Sequence, residues 1–387
     1  MDFGFAKDQD LLRKSAKEFF EKECPKERVR ELKEDEKGYD PKTWKKMVDL
    51  GFVGLAIPEE FGGTEGQYLD LMIFMEEMGR NIVPCPYFTT VALCSLLLLE
   101  FATKKQKEQH LPAIAEKGQI WSLAINEEAS DWEASDVRMS AVAKGDSYVL
   151  NGVKLFVPYA NVAEKLLVVV RTGDGAASQE GITVFIVDAK APGITCEVIP
   201  TTARDMRCEL AFKNVSVAKE NVLGTVGKGW DVVDHIIQRA TVLKCAEMSG
   251  GAQGALDITV KYARERIQFD KPIGSFQAVQ HRLVELLTEV EGLKYIVYEA
   301  AWNIDEGHPS RMLNSIAKAK ANHVYHRVCF NGIFTHGAIG WTEEMDIGLY
   351  HIRTKSYDFD CGGADYHRER IAVELENLQP AFLTLWS

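Results

Sequence analysis

The spacing of the apolar residues changes twice along this chain of 387 residues, and this change constrains the fold more than any single motif. From residue 8 to about residue 117, apolar residues recur every three or four positions, which is typical of amphipathic helices. Between about residues 120 and 226, short runs of β-branched and aromatic residues alternate with turn residues, which predicts strands. After Gly229 the helical spacing returns. The pattern predicts an α+β fold with three parts: an N-terminal helical domain (1–119), a middle antiparallel β domain (120–226) and a C-terminal helical bundle domain (227–387).

Three local patterns refine this prediction. The dipeptide Asn151-Gly152 lies between two strand-like runs, and it predicts a hairpin with a type I′ turn. A helical run is expected over residues 89–101. Glycines and a proline divide the last part of the chain into helices, which are predicted at about 230–268, 276–304, 309–336, 343–358 and 364–385.

The charge and the cysteines exclude several classes of function. The chain carries 45 Lys and Arg against 57 Asp and Glu, a net charge of −12, and no long basic run, which argues against nucleic acid and anionic membranes as main partners. Its longest apolar run, residues 91–99, is far shorter than the roughly 20 residues of a membrane span. The start resembles no signal peptide, and the eight cysteines form no CxxC pair, so we expect reduced thiols in a cytoplasmic protein. His323 and His326 have no third ligand at a clear spacing, so no metal site is expected.

Four motifs carry a resemblance to a known family. They are IPEEFGG at 57–63, NVSVAKENVLG at 214–224, YARERIQFDKPI at 262–273 followed by Phe276 and Gln277, and HGAIGWTEE at 336–344. With the order of the segments, they make the chain similar, over essentially its whole length, to the acyl-CoA dehydrogenase family of flavoproteins, whose C-terminal domain is a four-helix bundle. The resemblance implies an FAD cofactor and an acyl-CoA substrate, whose α,β bond is desaturated when a base removes the α-proton and the flavin N5 accepts a hydride.

The resemblance assigns two groups of residues to FAD. One group, in the β segment, faces the isoalloxazine: Ile125, Asn126, Ser135, Phe156, Val157 and Pro158. The other reaches the FAD of a neighbouring subunit, and its arginine suits a diphosphate: Arg266, Gln268, Phe269, Gln277, Phe334 and Gly337. Three of these depart from the family, since Phe334 replaces a common glutamine, while Asn126 and Pro158 replace threonines.

The resemblance also implies a substrate site and an assembly. The expected substrate-binding residues are Tyr87, Thr89, Ser135, Gln238 and Thr241. By the same resemblance, the helix that floors the acyl pocket carries Tyr87, Thr89, Thr90, Leu93 and Cys94, and this mixed lining favours a branched or alicyclic acyl group over a long straight chain. The family also implies a tetramer, either homomeric or heteromeric, and an electron-transfer flavoprotein or similar protein as the electron acceptor.

The largest departure from the family concerns the base. Relatives place a glutamate in a Tyr-Glu-Gly-Thr motif, and counting back from Arg370 puts Gly363 at that position, or Gly362 if the register slips by one. A second family position, on the helix after the β segment, is Ala240 or Thr241. Neither position carries a carboxylate.

Three interpretations follow from the missing glutamate. The chain uses another base, with Asp360 and Tyr366 nearest in sequence and Asp131 or Glu133 behind them. Alternatively, it is a base-less subunit of a heteromeric acyl-CoA dehydrogenase whose partner carries the glutamate. In the third interpretation it is a variant, non-dehydrogenating acyl-CoA flavoenzyme.

Overall fold

The computed structural model describes residues 4–129, 132–173 and 179–382. Their contacts divide the chain into two compact units. The helical unit comprises Met1–Arg30, Tyr68–Val83 and Thr241–Ser387, and the mixed unit comprises Glu31–Gln67 and Pro84–Ala240. Each unit contains residues from more than one of the three segments predicted from the sequence. The division into three domains along the chain therefore stays a prediction.

The helical unit is built from long amphipathic helices with a core of buried aliphatic side chains. The helices predicted after Gly229 are confirmed, and each of their ends lies within three residues of its expected position. A short hairpin of β9 (Ile267–Gln268) and β10 (Lys271–Pro272) follows the first of them. The helices that lie wholly in this unit are α1 (Lys7–Glu23), α4 (Tyr68–Asn81), α8 (Gln277–Asp305), α9 (Arg311–His336), α10 (Asp346–Tyr357) and α11 (Ala364–Phe382). Two further helices are shared with the other unit: α2 (Lys26–Leu32) begins in the helical unit, and α7 (Gly229–Glu265) ends in it.

The mixed unit contains an eight-stranded sheet. Its strands are β1 (Trp121–Ala124), β2 (Ser140–Lys144), β3 (Ser147–Pro158), β4 (Lys165–Arg171), β5 (Ile182–Asp188), β6 (Ile194–Val198), β7 (Arg207–Ala218) and β8 (Val222–Leu223). Their order in the sheet is β6-β7-β3-β2-β4-β5-β8, with β1 paired to β4. Strands β4 and β5 are buried along most of their length. The helices beside them are α3 (Pro41–Asp49), α5 (Leu96–Phe101) and α6 (Lys104–Ala115).

Two details of the sheet differ from the predictions. The sheet is mostly antiparallel, but β1 and β4 pair in parallel, since the β2–β3 hairpin lies between them in the chain and brings it back to the end where β1 begins. The predicted turn at Asn151-Gly152 is wrong, because the chain turns at Gly145 and residues 151 and 152 lie inside β3. Gly152 sits at an irregularity against β7, where a Cβ atom would lie 2.7 Å from Cγ of Met139. Its glycine therefore serves close packing and not the turn.

The helical run expected over residues 89–101 contains a rarer element. Phe88–Ser95 forms a π-helix, which continues as α5. Extended π-helices are uncommon and often occur at functional sites. Among the described residues, no helix combines the length and apolar character that crossing a membrane requires.

Candidate functional site

The two segments predicted to face the cofactor ring lie side by side in the mixed unit. The backbone amide of Leu155 donates to the Asn126 carbonyl at 2.9 Å, and the Ser122 hydroxyl donates to the Pro158 carbonyl at 2.5 Å. Between these bonds, Phe156 has a positive φ of 54° and a side chain that is 47% exposed. The Phe156 ring is therefore partly exposed, while the hydrogen bonds of Leu155 and Pro158 fix the backbone that carries it.

A buried ion pair links these two segments. Lys154 is fully buried, and its Nζ lies 2.6 Å from Oε1 of Glu127 and 2.9 Å from the Ile125 carbonyl oxygen. Glu127 also accepts hydrogen bonds from the backbone amides of Arg138 and Met139. Burial lowers the pKa of Lys154 to about 8, although the Glu127 charge opposes this shift. Nothing in the sequence pattern indicates this pair.

Other predicted residues of the mixed unit have different surroundings. Ser135 is exposed on a short 3-10 turn, Ala134–Asp136, and Arg171 fixes this turn by donating to the carbonyls of Ala134 and Val137 at 2.7 and 2.8 Å. Glu133 is exposed beside it, while Asp131 lies outside the described residues. Val157 is buried in β3, and Gln238 is half-buried on α7.

Tyr87 and Thr89 lie at the start of the π-helix and are both buried. The Tyr87 hydroxyl donates to the Phe52 carbonyl at 3.0 Å, and the Thr89 hydroxyl donates to Ser122 Oγ at 3.2 Å. Burial raises the pKa of Tyr87 well above its ordinary value. Both hydroxyls already have protein partners, so their role as substrate ligands remains a prediction.

The second group of predicted cofactor residues lies at one end of the helical unit. The Tyr262 and His336 rings stack at 4.2 Å and join the ends of α7 and α9, so that the β9–β10 hairpin and the turn after α9 are neighbours. Among the described residues, the exposed Arg266 guanidinium has no ion-pair partner. The other members of this group are also exposed: Gln268, Phe269, Gln277, Phe334 and Gly337. The exposed fraction is 85% for Phe269 and 59% for Phe334.

A buried ionic cluster surrounds Asp360, also within the helical unit. Lys244 Nζ on α7 lies 3.2 Å from Asp360 Oδ2 and 2.6 Å from Glu247 Oε2. Glu247 Oε1 accepts a 2.6 Å hydrogen bond from the Tyr357 hydroxyl. The cluster therefore joins α7, the end of α10 and the turn that precedes α11. We call these four residues the Lys244 cluster.

A second buried lysine fixes the same turn. Lys318 on α9 has no exposed surface, and its ammonium donates to the carbonyls of Tyr357, Asp358 and Gly362 and to the Asn322 side chain, at 2.7 to 3.2 Å. Burial lowers the pKa of Lys318, and the surrounding thiols and carboxylates oppose that shift.

The turn after Asp360 is closed by buried groups. Cys361 has a positive φ of 59°, and burial raises the pKa of its thiol to about 12. His367 accepts a hydrogen bond from the Ser315 hydroxyl and donates to the Cys361 carbonyl at 2.9 Å, an assignment set by the carbonyl acceptor. Burial lowers the pKa of His367 to about 3, so its imidazole is neutral.

Tyr366, the second predicted base, lies against this turn. Its ring packs edge-on against His367 at 5.0 Å, and the Arg370 guanidinium lies 4.5 Å from its centroid. Thr241, the remaining predicted substrate residue, is buried on α7, and its side chain is hydrogen-bonded to Cys361.

Lys244 and Lys318 were missed because a single lysine usually indicates a solvated surface. Lys244 follows Val242 and Leu243, and Lys318 lies among alanines, but such neighbours do not identify a buried ammonium, since Lys320 between Ala319 and Ala321 is only half-buried. A buried ammonium must be paired, and its partners here come from distant parts of the chain. Within the described ranges, no group of three or more His, Cys, Asp or Glu residues could hold a metal ion.

Models of the three parts of one protein family match the chain. They are the acyl-CoA dehydrogenase N-terminal domain at residues 6–118, the middle domain at 122–215 and the C-terminal domain at 227–375.

Individual proteins are similar over most of the chain. A probable acyl-CoA dehydrogenase of Bacillus subtilis, YngJ, is 30% identical over 384 residues, which cover 97% of this chain and 100% of the relative. The caffeyl-CoA reductase-Etf complex subunit CarC of Acetobacterium woodii is 31% identical, over 89% of this chain and 91% of its own. A structure of the ChsE4-ChsE5 complex from Mycobacterium tuberculosis matches with a TM-score of 0.88 at 28% identity, over 97% of this chain and 99% of the other.

Proposed function

Because the chain belongs to the acyl-CoA dehydrogenase family, whose members are FAD-binding oxidoreductases acting on CH–CH bonds, we propose that it desaturates the α,β bond of an acyl-CoA and that Asp360 removes the α-proton. One observation carries the choice of Asp360. Its carboxylate lies in the turn that ends next to Gly363, its side chain is only 12% exposed, and Lys244 lies 3.2 Å away. A carboxylate in this place suits general base chemistry.

The residues present fit FAD on two observations. In the mixed unit, the exposed Phe156 ring stands on a fixed backbone beside the Ile125–Asn126 segment, which suits contact with a flat aromatic ring. In the helical unit, Arg266 is an exposed guanidinium without an ion-pair partner among the described residues, which suits a diphosphate. When bound, FAD supplies the hydride acceptor. The protein residues bind and orient it and hold the proton taken from the substrate.

In the proposed reaction, the chain's own contribution is the proton transfer. The ionised Asp360 carboxylate takes the α-proton, and the electron pair of the broken C–H bond becomes part of the new double bond as the β-carbon loses a hydride. General base catalysis of this kind contributes roughly 10²- to 10⁴-fold to the rate. Removing the carboxylate while keeping the fold therefore tests the assignment.

The proposed substrate carries a branched or alicyclic acyl group. The π-helix carries short side chains at Thr89, Thr90 and Cys94. Short side chains suit a wide acyl group better than the aliphatic lining that a long straight chain needs.

The test is anaerobic mixing of the purified, FAD-loaded protein with a panel of thioesters while the flavin absorbance is recorded. The panel is butyryl-CoA, 2-methylbutyryl-CoA, cyclohexanecarboxyl-CoA and 3-phenylpropionyl-CoA. We expect bleaching that is fastest with a branched or alicyclic member. Protein that binds FAD but is bleached by no thioester would contradict the proposal.

A second candidate is a base-less subunit of a heteromeric acyl-CoA dehydrogenase. It is favoured by the lack of a carboxylate at Gly363 and Thr241, and by the likeness to the ChsE4-ChsE5 complex. Native mass spectrometry of the chain expressed alone distinguishes the two candidates. A homotetramer whose own flavin is bleached by an acyl-CoA excludes the second candidate.

The acceptor and the location extend the proposal. CarC is named as part of a complex with Etf, which supports an electron-transfer flavoprotein as the acceptor here. The eight cysteines form no disulfide among the described residues, which supports a reducing, cytoplasmic location. Reoxidation of the bleached protein by purified electron-transfer flavoprotein tests the first of these.

A further inference from the structure

The lysine beside Asp360 is itself held from two sides. Lys244 Nζ lies 2.6 Å from Glu247 Oε2 and 4.1 Å from the centroid of the Tyr357 ring, in addition to its 3.2 Å contact with Asp360. Glu247 is held in turn by the 2.6 Å hydrogen bond from the Tyr357 hydroxyl. The position of the ammonium is therefore fixed by α7 and α10 and not by Asp360 alone.

Burial makes this arrangement hard to relax. The side chains of Lys244 and Glu247 are only 3% and 6% exposed. A buried charge is tolerated only when it is paired, and removing one partner of a buried pair is strongly destabilising. Lys244 therefore cannot leave the cluster without stranding carboxylates in the protein interior.

We infer that Lys244 is a positioning residue for the base: its ammonium fixes the Asp360 carboxylate and places a positive charge beside it, and Glu247 limits the strength of that charge. This inference rests on the proposed function, in which Asp360 takes the α-proton. Lys244 acts through Asp360 and needs no contact with the substrate.

Removing Lys244 and removing the charge of Glu247 should have opposite effects on the ionisation of Asp360. A neighbouring cation favours an ionised carboxylate, so removing Lys244 disfavours the form that accepts a proton. Glu247 neutralises part of the Lys244 charge, so removing the Glu247 charge has the reverse effect. Within the cluster, Glu247 of α7 and Tyr357 of α10 face Lys244. The charged and titratable groups that face the cluster from the surrounding elements are Cys245 of α7, Lys318 of α9, Arg353 of α10, and Asp358 and Cys361 of the turn.

The test isolates proton removal from hydride transfer. Protein whose flavin has already been reduced with dithionite is mixed in D₂O with the thioester of the panel above that bleaches wild type fastest. Deuterium entering the α-carbon is measured by mass spectrometry across a range of pH. The variants are Lys244→Met, Lys244→Arg and Glu247→Gln.

We expect exchange in Lys244→Met to slow at least tenfold at pH 7 and its acid limb to move up by about one pH unit. Lys244→Arg should retain the wild-type limb, because it keeps the charge, and Glu247→Gln should move the limb down. If the pH profiles of exchange in Lys244→Met and Glu247→Gln both have the same acid limb as wild type, the inference is overturned and the proposed function stands. Wild-type protein that shows neither exchange nor bleaching overturns both.

Apo-protein gives a readout independent of the cofactor. Lys244→Met should lower the thermal unfolding midpoint, and adding Glu247→Gln to that variant should restore part of the loss, since one stranded carboxylate is removed. An unchanged midpoint in Lys244→Met would show that the ammonium does not hold the cluster, and would overturn the inference.

Discussion

The Lys318 ammonium donates a hydrogen bond to the Gly362 carbonyl at 3.2 Å, across 44 residues of sequence. The same ammonium donates to the carbonyls of Tyr357 and Asp358, so three backbone acceptors of one turn share a single buried cation. Asp360 lies in this turn. Lys318 therefore fixes the backbone of the proposed base, while Lys244 contacts its side chain.

Replacing Lys318 should destabilise the protein. Lys318→Met leaves two buried carbonyls and one partly buried carbonyl without their donor, and each unsatisfied buried group costs roughly 1–3 kcal/mol, so the free energy of unfolding should fall by about 3 kcal/mol. Urea denaturation measures the change. The control is Lys14→Met, whose side chain is 71% exposed and which should change the value by less than about 0.5 kcal/mol. Equal stability of the two variants would contradict the account of the turn.

Two adjacent glycines in the turn should respond differently to alanine. Gly362 has a φ of +102°, and a Cβ atom there would lie 2.4 Å from Cδ1 of Tyr366. At Gly363 a Cβ atom would meet only the Asp358 carbonyl oxygen, at 4.0 Å. Gly362→Ala should therefore lower the free energy of unfolding by about 2 kcal/mol or more, and Gly363→Ala by less than about 0.5 kcal/mol. The same urea experiment tests the order, and a reversed order would contradict it.

The buried Lys154 should make stability depend on alkaline pH. Its pKa is about 8 in the folded protein against 10.5 when unfolded, so the unfolded state binds more protons between these values. The contribution of Lys154 is therefore unfavourable below about pH 8, and stability rises as the pH increases through this window, by up to about 1.4 kcal/mol per pH unit. Lys154→Met should lack this rise, whereas Lys144→Met, which alters an exposed lysine of β2, should keep it. Parallel stability curves for all three proteins would rule out the shifted pKa.

Arg266 should contribute to FAD affinity in the assembled oligomer, since it is expected to reach the FAD of a neighbouring subunit. Losing a charge-assisted hydrogen bond costs about 1.5–3 kcal/mol, so Arg266→Ala should weaken FAD binding by roughly 10- to 150-fold. Fluorescence titration of the apo-protein measures the affinity. Arg264→Ala replaces another exposed arginine close by on α7 and should bind FAD like wild type. Equal affinities in the two variants would remove Arg266 from the proposed cofactor site.

Much of the fold could be predicted from the sequence because apolar periodicity reports which face of an element is buried. The helices after Gly229 followed from this pattern together with the glycines and the proline that divide them. Periodicity does not report how strands pair, so the parallel β1–β4 contact was not foreseen. Asn-Gly suits a type I′ turn, but in β3 close packing of Gly152 against Met139 decides its position.

The candidate site was less predictable. Counting from the family motif directed attention to Asp360, but it could not identify Lys244 or Glu247, which come from a helix more than 110 residues earlier in the chain. Tyr366 was equally close in sequence, yet the structure packs its ring against His367. Side chains meet in three dimensions through helix packing, and a spacing rule along one segment does not contain that information.

The most direct test of the central claim is the rate of flavin bleaching in Asp360→Asn. Asparagine keeps the size of the side chain but cannot take a proton, so anaerobic bleaching by the best thioester of the panel should slow at least 100-fold, while thioester binding, followed by the shift of the flavin spectrum, stays near wild type. Tyr366→Phe, measured alongside, should bleach at close to the wild-type rate. Bleaching of Asp360→Asn within about twofold of wild type would contradict the assignment of Asp360 as the base.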